Sequence, residues 1–403
     1  MHTMIDTFEV RIERLVYGGE AMGRLPDGRA VFVPFAIPGE MVRLRVVEEK
    51  PRYTRAELVD VLETSASRVK PRCMHFTTCG GCHYQHMDYA AQVEAKSAIL
   101  VEQLERIGSL PCSPPIEALA SPEPWYYRNH VQFHLTREGK LGFQKAHSNQ
   151  TFAVQECHLP EPGINRIWPQ VDIEPIPGLV RLSLRVGKDE DLMLILESTQ
   201  PQPLDFSIED LPISVIQMGP GGNVLLAGSD LIQMQVSGRD FRVSGHSFFQ
   251  VNTLQANTMV SYIMEAITLD QTMTVLDVYA GVGLFSAFLA PNMKNLVAIE
   301  LSSQACEDFA VNLDEFENVS LYKAPAADVL NDVSFNPDVI IMDPPREGLD
   351  AKTMRGVLNQ GASQLVYVSC DPATMARDAG RLVEGGHALE KLAMVDMFPQ
   401  TYH

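Results

Sequence analysis

The sequence predicts a multidomain protein with an N-terminal small β-barrel, a central mostly antiparallel β domain and a C-terminal α/β domain. Three patterns carry this prediction. Short alternating strands separated by Gly and Pro turns fill about the first sixty residues. A second β-rich stretch runs from Trp125 to Arg242, and from Ser244 onward strands alternate with helices, which is typical of a parallel doubly wound sheet. The predicted domains are 1–68, 69–243 and 244–403.

The composition indicates a globular protein without a membrane segment. The chain has 403 residues, 45% of them apolar and 21% charged. No apolar run approaches the ~20 residues that cross a bilayer, and the N-terminus lacks the basic and apolar regions of a signal peptide. Three of the seven cysteines crowd between positions 73 and 82, which suits a reducing compartment. We therefore predict a cytoplasmic protein and, since no coiled-coil or repeat pattern is present, a monomer.

The charge is unevenly distributed along the chain. The formal net charge is -19, which by itself argues against a nucleic-acid partner. Up to Arg72, however, 12 Lys and Arg stand against 11 Asp and Glu, so that the remainder carries a net charge of -20. The N-terminal segment is thus the only part whose balance would not repel a phosphate backbone.

The N-terminal segment predicts a five-stranded barrel of the OB type. Its first strand reads FEVRIERLV, and turn signals follow at Gly18-Gly19, Pro26-Asp27-Gly28 and Pro38-Gly39. One face of such a barrel often binds single-stranded nucleic acid. A structural barrel without a ligand fits the pattern equally well.

A cysteine cluster follows the barrel. Cys73, Cys79 and Cys82 have the spacing Cys-x5-Cys-x2-Cys, and a fourth candidate, Cys157, lies in VQECHLP. Four thiolates in tetrahedral arrangement suit zinc or an iron–sulfur cluster, and sequence spacing does not separate the two. Unliganded cysteines are the remaining alternative.

Between the cluster and the central domain the sequence predicts a helix and a linker. Tyr89–Ile107 has helical periodicity and stops at Gly108, and we expect the helix over 87–107 to pack on the C-terminal domain. Ser109–Pro124 contains five prolines and reads as a linker, with Cys112 as a bystander.

The C-terminal domain begins with a nucleotide-binding pattern. The strand in TVLDVYAGVG ends in a turn with Gly281 and Gly283, and the next strand, LVAIE, ends at Glu300. Glycine lets the backbone approach a ligand, and an acid can accept hydrogen bonds from ribose hydroxyls. NAD is compatible with this pattern. S-adenosylmethionine is favoured, because one glycine pair and one acid suffice for it. Cys306, in the following helical pattern, is expected in the core.

Two later strands end in residues that suggest chemistry. Asp343 and Arg346 follow the apolar strand in IIMDPPREGL, and Cys370 follows the apolar strand in QLVYVSCDPATMARD. A strand-end cysteine is more often a packed thiol than a nucleophile. Two such ends in one parallel sheet nevertheless lie at the edge where ligands bind, so we expect them to form a single site.

These motifs carry a family resemblance. The chain resembles the bacterial 23S rRNA (uracil-5-)-methyltransferases in its barrel, its four cysteines and five motifs. The motifs are FFQVN, DVYAGVG, VAIE, DPPREGL and VSCDPATMARD. The resemblance covers essentially the whole chain. It implies an RNA-binding TRAM barrel, a 4Fe-4S cluster in place of zinc, and a Rossmann-like methyltransferase domain that uses S-adenosylmethionine to methylate carbon 5 of a uridine in 23S rRNA.

The resemblance also implies residue roles. Cys370 would add to carbon 6 of uracil, so that carbon 5 becomes nucleophilic. Asp343 would contact the cofactor or the target base, and Arg346 would anchor Asp371 or a phosphate, a surface arginine being equally possible. The implied S-adenosylmethionine residues are Gln250, Tyr279, Gly281, Glu300, Asp328 and Asp343. The implied cluster ligands are Cys73, Cys79, Cys82 and Cys157.

The sequence departs from the family pattern in three places. Leu284 replaces a frequently polar residue, Asp371 replaces a common Asn, and the family's terminal His-x-Glu stops here at His403. That Glu removes the carbon 5 proton, so His403 or another base would have to substitute, and we expect slowed release of a covalent RNA adduct. A tRNA-specific enzyme and a catalytically impaired RNA-binding or assembly factor are the alternative readings.

Overall fold

The computed structural model describes residues 7–111, 113–171, 176–204 and 213–403. They fall into two compact units. The first lies within Met1–Val101, Gly142–His158 and Phe398–His403, and the second within Glu102–Leu141 and Leu159–Met397. Cys112 is outside the described residues. No helix in the described ranges is long and apolar enough to cross a membrane.

The first unit contains the predicted barrel. Its strands are β1 (Thr7–Leu15), β2 (Glu20–Arg24), β3 (Ala30–Pro34), β4 (Met41–Glu49) and β5 (Tyr53–Glu63). They close in the order β1-β2-β3-β5-β4, which confirms the five-stranded barrel. Alternate side chains of β1 point inward, as Val10 and Ile12 are buried. At Gly23 a Cβ would lie 2.6 Å from Val10 Cγ1, so only glycine lets β1 and β2 approach there.

The outer surface of the barrel carries arginines that are paired with carboxylates. These exposed pairs each contribute only ~0–1 kcal/mol, so their main effect is to balance charge. We call this region the paired barrel surface. Its ion pairs are Arg11–Glu63, Arg24–Glu13, Arg29–Asp27, Arg43–Glu9, Arg45–Glu57 and Arg55–Glu20.

Beyond the barrel, the described residues form further strands and helices. The strands are β6 (Ile116–Leu119), β7 (His130–Leu135), β8 (Leu141–Gln144), β9 (Thr151–Ala153), β10 (Leu179–Val186), β11 (Leu192–Ser198), β12 (Ser214–Gly219), β13 (Gly222–Ala227), β14 (Leu231–Val236), β15 (Arg239–Ser244), β16 (Thr274–Val278), β17 (Asn295–Glu300), β18 (Val319–Lys323), β19 (Val339–Met342), β20 (Gln364–Tyr367) and β21 (Leu392–Val395). The α-helices are α1 (Tyr89–Arg106), α2 (Pro162–Ile167), α3 (Thr253–Ala266), α4 (Leu284–Leu289), α5 (Ser303–Asn312), α6 (Ala326–Asp332), α7 (Ala351–Gln360) and α8 (Pro372–Glu384).

The central strands form a largely antiparallel sheet, as predicted. In the second unit its order is β13-β12-β11-β10-β7, and only the β11–β12 pair is parallel. In the first unit β8 pairs antiparallel with β9. The predicted linker Ser109–Pro124 is not entirely irregular, because it contains β6, which pairs in parallel with β21. The prolines around this short strand hide it in the sequence.

The C-terminal strands form the predicted parallel sheet. Its order is β18-β17-β16-β19-β20, and every neighbouring pair is parallel. Because all five strands run in the same direction, their carboxyl ends lie at one edge, and helices connect one strand to the next. That edge is where ligands bind in open α/β sheets.

The predicted helix over Tyr89–Ile107 is formed as α1. Just beyond it, Gly108 lies against α8, where a Cβ would approach Ala376 O to 2.6 Å. A Cβ at Gly380 of α8 would similarly lie 2.6 Å from Gly108 O. Glycine on both sides therefore permits this backbone contact. The packing of the helix over 87–107 on the C-terminal domain stays a prediction.

A buried polar network lies beside the parallel sheet. Asp308 of α5 is fully buried and accepts hydrogen bonds from Ser244 N (2.9 Å), Ser244 Oγ (2.7 Å) and Ser247 Oγ (2.6 Å). The buried Arg185 guanidinium donates to the carbonyls of the same two serines. The network fixes the turn that precedes Gln250 from two sides.

Candidate active site

A strained turn follows β16 at the ligand-binding edge. Tyr279, Gly281 and Gly283 all have left-handed backbone conformations, with φ of 66°, 56° and 93°. The amides of Tyr279 and Ala280 both donate to Ile299 O, at 3.0 and 3.1 Å. This double contact fixes the turn against the end of β17. The two glycines supply the backbone freedom that the turn requires.

Glu300 holds the turn through its carboxylate. Oε2 accepts a hydrogen bond from Gly281 N at 2.9 Å, and Oε1 accepts from Leu301 N and Ser302 N at 2.8 and 2.7 Å. A carboxylate has about four acceptor positions, so capacity remains for a ligand hydroxyl. Glu300 thus organises the turn and can also bind a ligand.

A pocket of about 610 Å³ opens at this edge. Its volume falls in the range of ~300–1,000 Å³ that small-molecule sites occupy. Tyr279 and Glu300 line it, and burial raises the pKa of the Tyr279 hydroxyl. The other lining residues include Leu301, residues 324–327, Pro345, residues 347–351, Thr353, Arg377 and Arg381.

Four of the six predicted cofactor residues, Gln250, Gly281, Asp328 and Asp343, are not among the residues that line this pocket. Asp328 pairs with Lys352, whose Nζ lies 2.6 Å from Asp328 Oδ1 at the surface. Gln250 is partly buried, and its backbone carbonyl accepts a hydrogen bond from Asn129 Nδ2 at 2.9 Å. Their cofactor roles stay predictions.

Two carboxyl groups below the turn have raised pKa values. Asp277 in β16 is buried, which raises its pKa to about 7, although Ser286 Oγ donates to it at 2.6 Å. Asp343 follows β19 and is partly exposed, yet the surrounding protein desolvates it and raises its pKa to about 6. A negative charge on Asp343 is therefore fully developed only above pH 6.

Cys370 lies just after β20, beside the Asp343 loop. Val368 N donates to Met342 O at 2.8 Å and continues the β19–β20 contact toward the cysteine. Asp371 then caps α8 by accepting from the amides of Ala373 and Thr374. The Cys370 side chain is exposed at the site.

The environment of Cys370 contains opposing influences on its ionisation. Partial desolvation by the surrounding protein raises the pKa of the thiol, and the Asp343 carboxylate adds to this. The charge of the Arg346 guanidinium acts in the opposite direction, but burial prevails and the pKa of the thiol is raised. The structure thus brings Cys370, Asp343 and Arg346 together. Arg346 lies near enough for its charge to act on the thiol, whereas the Asp371 carboxylate is used as a helix cap.

Asp378, in the last position of the VSCDPATMARD motif, was not among the predicted site residues. Its carboxylate is fully buried and accepts hydrogen bonds from Leu349 N and Tyr367 Oη, both at 2.8 Å. A polar residue within an otherwise amphipathic helix gives no sequence signal of such distant partners.

The four predicted cluster cysteines all belong to the first unit. Cys73 Sγ accepts from His75 N, and Cys79 Sγ accepts from Gly81 N, each at 3.4 Å. Burial raises the pKa of both thiols. Amide donors of this kind suit thiolate ligands, but within the described ranges no three His, Cys, Asp or Glu side chains are arranged to hold a metal ion. The arrangement therefore does not by itself form a closed metal site. Cys306, as expected, is buried in α5.

His403 also lies in the first unit. Its ring packs near Tyr402 and Phe398, and its backbone carbonyl accepts a hydrogen bond from Lys96 Nζ at 2.6 Å. The proposed function of His403 as a base stays a prediction.

Comparisons with known proteins agree with this architecture. Residues 5–59 match the TRAM domain family, and residues 204–403 match the family described as tRNA (Uracil-5-)-methyltransferase. An uncharacterized RNA methyltransferase from Streptomyces avermitilis is 31% identical over 424 residues, which cover 99% of this chain and 97% of the relative. The chain belongs to the RNA (uracil-5-)-methyltransferase family. The predicted enzyme class and family resemblance are therefore confirmed.

Other RNA methyltransferases have a similar length and a similar fold. An uncharacterized one from Aquifex aeolicus is 33% identical over 98% of this chain and 96% of its own. The solved Pyrococcus abyssi tRNA (uracil-54, C5)-methyltransferase, in complex with S-adenosyl-L-homocysteine, superposes with a TM-score of 0.74 over 98% of this chain and 97% of that structure. At 24% identity this likeness shows the shared fold.

The two glycines of the turn are expected to differ in their tolerance of alanine. Gly281 faces open space, so Gly281→Ala should cost only the left-handed backbone, about 1 kcal/mol. A Cβ at Gly283 would collide with Leu313 and approach Phe309 to 3.0 Å, so Gly283→Ala should cost about 3 kcal/mol. Urea unfolding of both variants measures the difference. Equal losses would show that the turn is not packed in this way.

Arg346 is expected to promote ionisation of Cys370. In Arg346→Gln the thiol loses its neighbouring cation, so the midpoint of its pH-dependent alkylation should move upward. Iodoacetamide labelling of the Cys370 peptide, followed by mass spectrometry across a pH series, measures this midpoint. Arg355→Gln, which removes an exposed charge on α7, is the control and should leave it unchanged. A midpoint unaffected by Arg346→Gln would contradict the arrangement.

Proposed function

We propose that this RNA (uracil-5-)-methyltransferase uses S-adenosylmethionine to methylate carbon 5 of a uridine through a covalent adduct with Cys370. The observation that carries this proposal is the grouping of an exposed Cys370 with Arg346 and Asp343. Pro345 and Glu347, the sequence neighbours of Arg346, line the pocket, so Arg346 and one wall of the pocket share a loop.

The pocket would hold the methyl donor. Glu300 has acceptor capacity for the ribose hydroxyls, and Tyr279 lines the same side. Gly281, which belongs to the same turn as Tyr279, is a further proposed contact through its backbone. Gln250 toward the methionine part and Asp328 toward the adenine are further proposed contacts. S-adenosyl-L-homocysteine, the demethylated form of this donor, is bound by the Pyrococcus abyssi relative, which supports the assignment.

The proposed reaction begins with the thiolate of Cys370. Its sulfur forms a bond with carbon 6 of uracil, and the electron pair of the 5,6 double bond moves toward the carbonyl oxygen at carbon 4. Carbon 5 then attacks the donor methyl group, and S-adenosylhomocysteine leaves. A base removes the carbon 5 proton, the double bond forms again, and the Cys370 thiolate is expelled. His403 is the predicted base.

The surroundings of Cys370 suit the first and last of these steps. Arg346 stabilises the thiolate as a nucleophile and as a leaving group. Asp343, ionised above its pKa of about 6, can accept a hydrogen bond from an N–H of the target base. The base has to leave its helix or loop to reach an exposed thiol, as in other base-modifying enzymes.

We propose 23S rRNA as the substrate and a monomer as the active form. The TRAM barrel, the cysteine cluster and the family resemblance support rRNA. A tRNA substrate is the second candidate, since both the matched family and the Pyrococcus abyssi relative are described by their action on tRNA. The two candidates use the same site residues and differ only in the RNA that is supplied.

Transfer of label is expected to depend on Cys370. The wild-type protein, incubated with tritiated S-adenosylmethionine and unmodified 23S rRNA transcript, should label the RNA. Cys370→Ala should lower the rate about a thousandfold or more, because the nucleophile is removed. Cys306→Ala, which changes a buried thiol in α5, should retain activity. Denaturing gels separate labelled RNA from an RNA–protein adduct.

Each other outcome of this assay has a definite meaning. Label in tRNA and not in rRNA would replace the proposed substrate. Label that is independent of Cys370 would overturn the covalent mechanism. No label in either RNA, with RNA binding retained, would favour the RNA-binding or assembly factor.

We also propose that the four cysteines bind a 4Fe-4S cluster, with no step of the reaction assigned to it. The thiol donors and the amides that point to Cys73 and Cys79 support this proposal. Protein purified without oxygen should contain iron and acid-labile sulfide and absorb visible light. Cys79→Ser should lose them, and Cys306→Ser should keep them. Zinc in place of iron would reassign the metal, and the absence of both metals would overturn the site.

A further inference from the structure

The loop that carries Arg346 is attached to α8 at two points: Thr374 Oγ1 donates to Arg346 O at 2.9 Å, and the buried Asp378 carboxylate holds the residues that follow. Asp378 Oδ2 accepts hydrogen bonds from Leu349 N and from Tyr367 Oη, both at 2.8 Å. Leu349 belongs to the loop after β19, and Tyr367 is the last residue of β20. One side chain therefore joins the two chain segments that deliver Asp343 and Cys370.

Two arginines complete the surroundings of Asp378. Arg377 Nε lies 2.8 Å from Oδ1 and Nη2 lies 3.0 Å from Oδ2, a two-point contact. The same Nη2 donates to Glu347 O at 2.8 Å, so this pair also reaches the residue next to Arg346. Arg381 Nη1 approaches Oδ1 at 3.4 Å. Both arginines line the pocket.

Gly348 shows how closely the loop lies against this carboxylate. Its φ is 71°, and a Cβ there would collide with Asp378 Oδ2 and lie 2.6 Å from Arg377 Nη2. Only a glycine lets the backbone reach this position. The loop is thus held both by hydrogen bonds and by direct backbone contact.

We propose that Asp378 is a positioning residue that holds Arg346 against the Cys370 thiol and fixes the Arg377 and Arg381 side of the pocket. The proposal rests on the proposed function only in taking Cys370 as the nucleophile. The effect of Arg346 on the Cys370 thiol can be measured by alkylation, without any methyl transfer.

The test is the pH dependence of Cys370 alkylation in Asp378→Asn. An amide keeps the size of the carboxylate, but it loses the charge and presents an N–H group to the arginines. The loop should then release Arg346, and the alkylation midpoint should rise toward that of Arg346→Gln. Near neutral pH this corresponds to about threefold to tenfold slower labelling, since one pKa unit changes the thiolate fraction tenfold. The double variant should show no further shift.

Asp308→Asn is the matched control. Asp308 is an equally buried carboxylate that accepts hydrogen bonds from an amide and two hydroxyls, but it lies in α5 among Ser244 and Ser247. It should lower the free energy of unfolding without moving the alkylation midpoint. An unchanged midpoint in Asp378→Asn, or an equal shift in Asp308→Asn, would overturn the proposal.

A milder variant covers the case in which Asp378→Asn does not fold. Tyr367→Phe removes one of the hydrogen bonds to Asp378 and keeps the aromatic ring. A smaller upward shift of the midpoint supports the proposal, and no shift in a folded Tyr367→Phe protein contradicts it. RNA methylation that persists in Cys370→Ala would instead count against the assignment of Cys370 as the nucleophile and would leave the alkylation result unaffected, so the two failures are distinguishable.

Discussion

The parallel pairing of β19 with β16 and β20 determines where chemistry can occur in this protein. Because the three strands run in the same direction, Tyr279, Asp343 and Cys370 emerge at one edge of the sheet. No loop has to travel far to bring them together. The pocket, the thiol and the raised pKa of Asp343 all follow from this shared edge.

The carboxyl groups near this edge differ in their surroundings and therefore in their roles. Glu300 accepts hydrogen bonds from three backbone amides, and Asp378 lies against two arginines, so each ties neighbouring chain segments together. Asp277 and Asp343 are mainly desolvated, and their pKa values rise to about 7 and about 6. The first pair organises loops, while the second pair can change protonation near neutral pH.

Much of this arrangement could be predicted from the sequence. Strand–helix alternation predicts the parallel sheet, and strand direction then predicts that Asp343 and Cys370 lie near one another. The influence of Arg346 on the thiol was not predictable, because it depends on the path of a loop after two prolines. Asp378 was missed for the same reason, since its partners Leu349 and Tyr367 are distant in sequence. Strand β6 was not predicted because prolines surround it and because its partner, β21, lies near the end of the chain.

The paired barrel surface has a consequence for RNA selection. Proteins that bind nucleic acid through free arginines gain much of their affinity from the small ions that leave the phosphates. Here the arginines already hold carboxylates, which act as counterions that cannot diffuse away. An RNA phosphate that approaches must displace these carboxylates. Because they stay attached to the protein, this exchange gains little of the entropy that released ions would provide. Stretches of RNA that offer only a backbone are therefore poor competitors on this surface, and an RNA that also presents unpaired bases has the advantage.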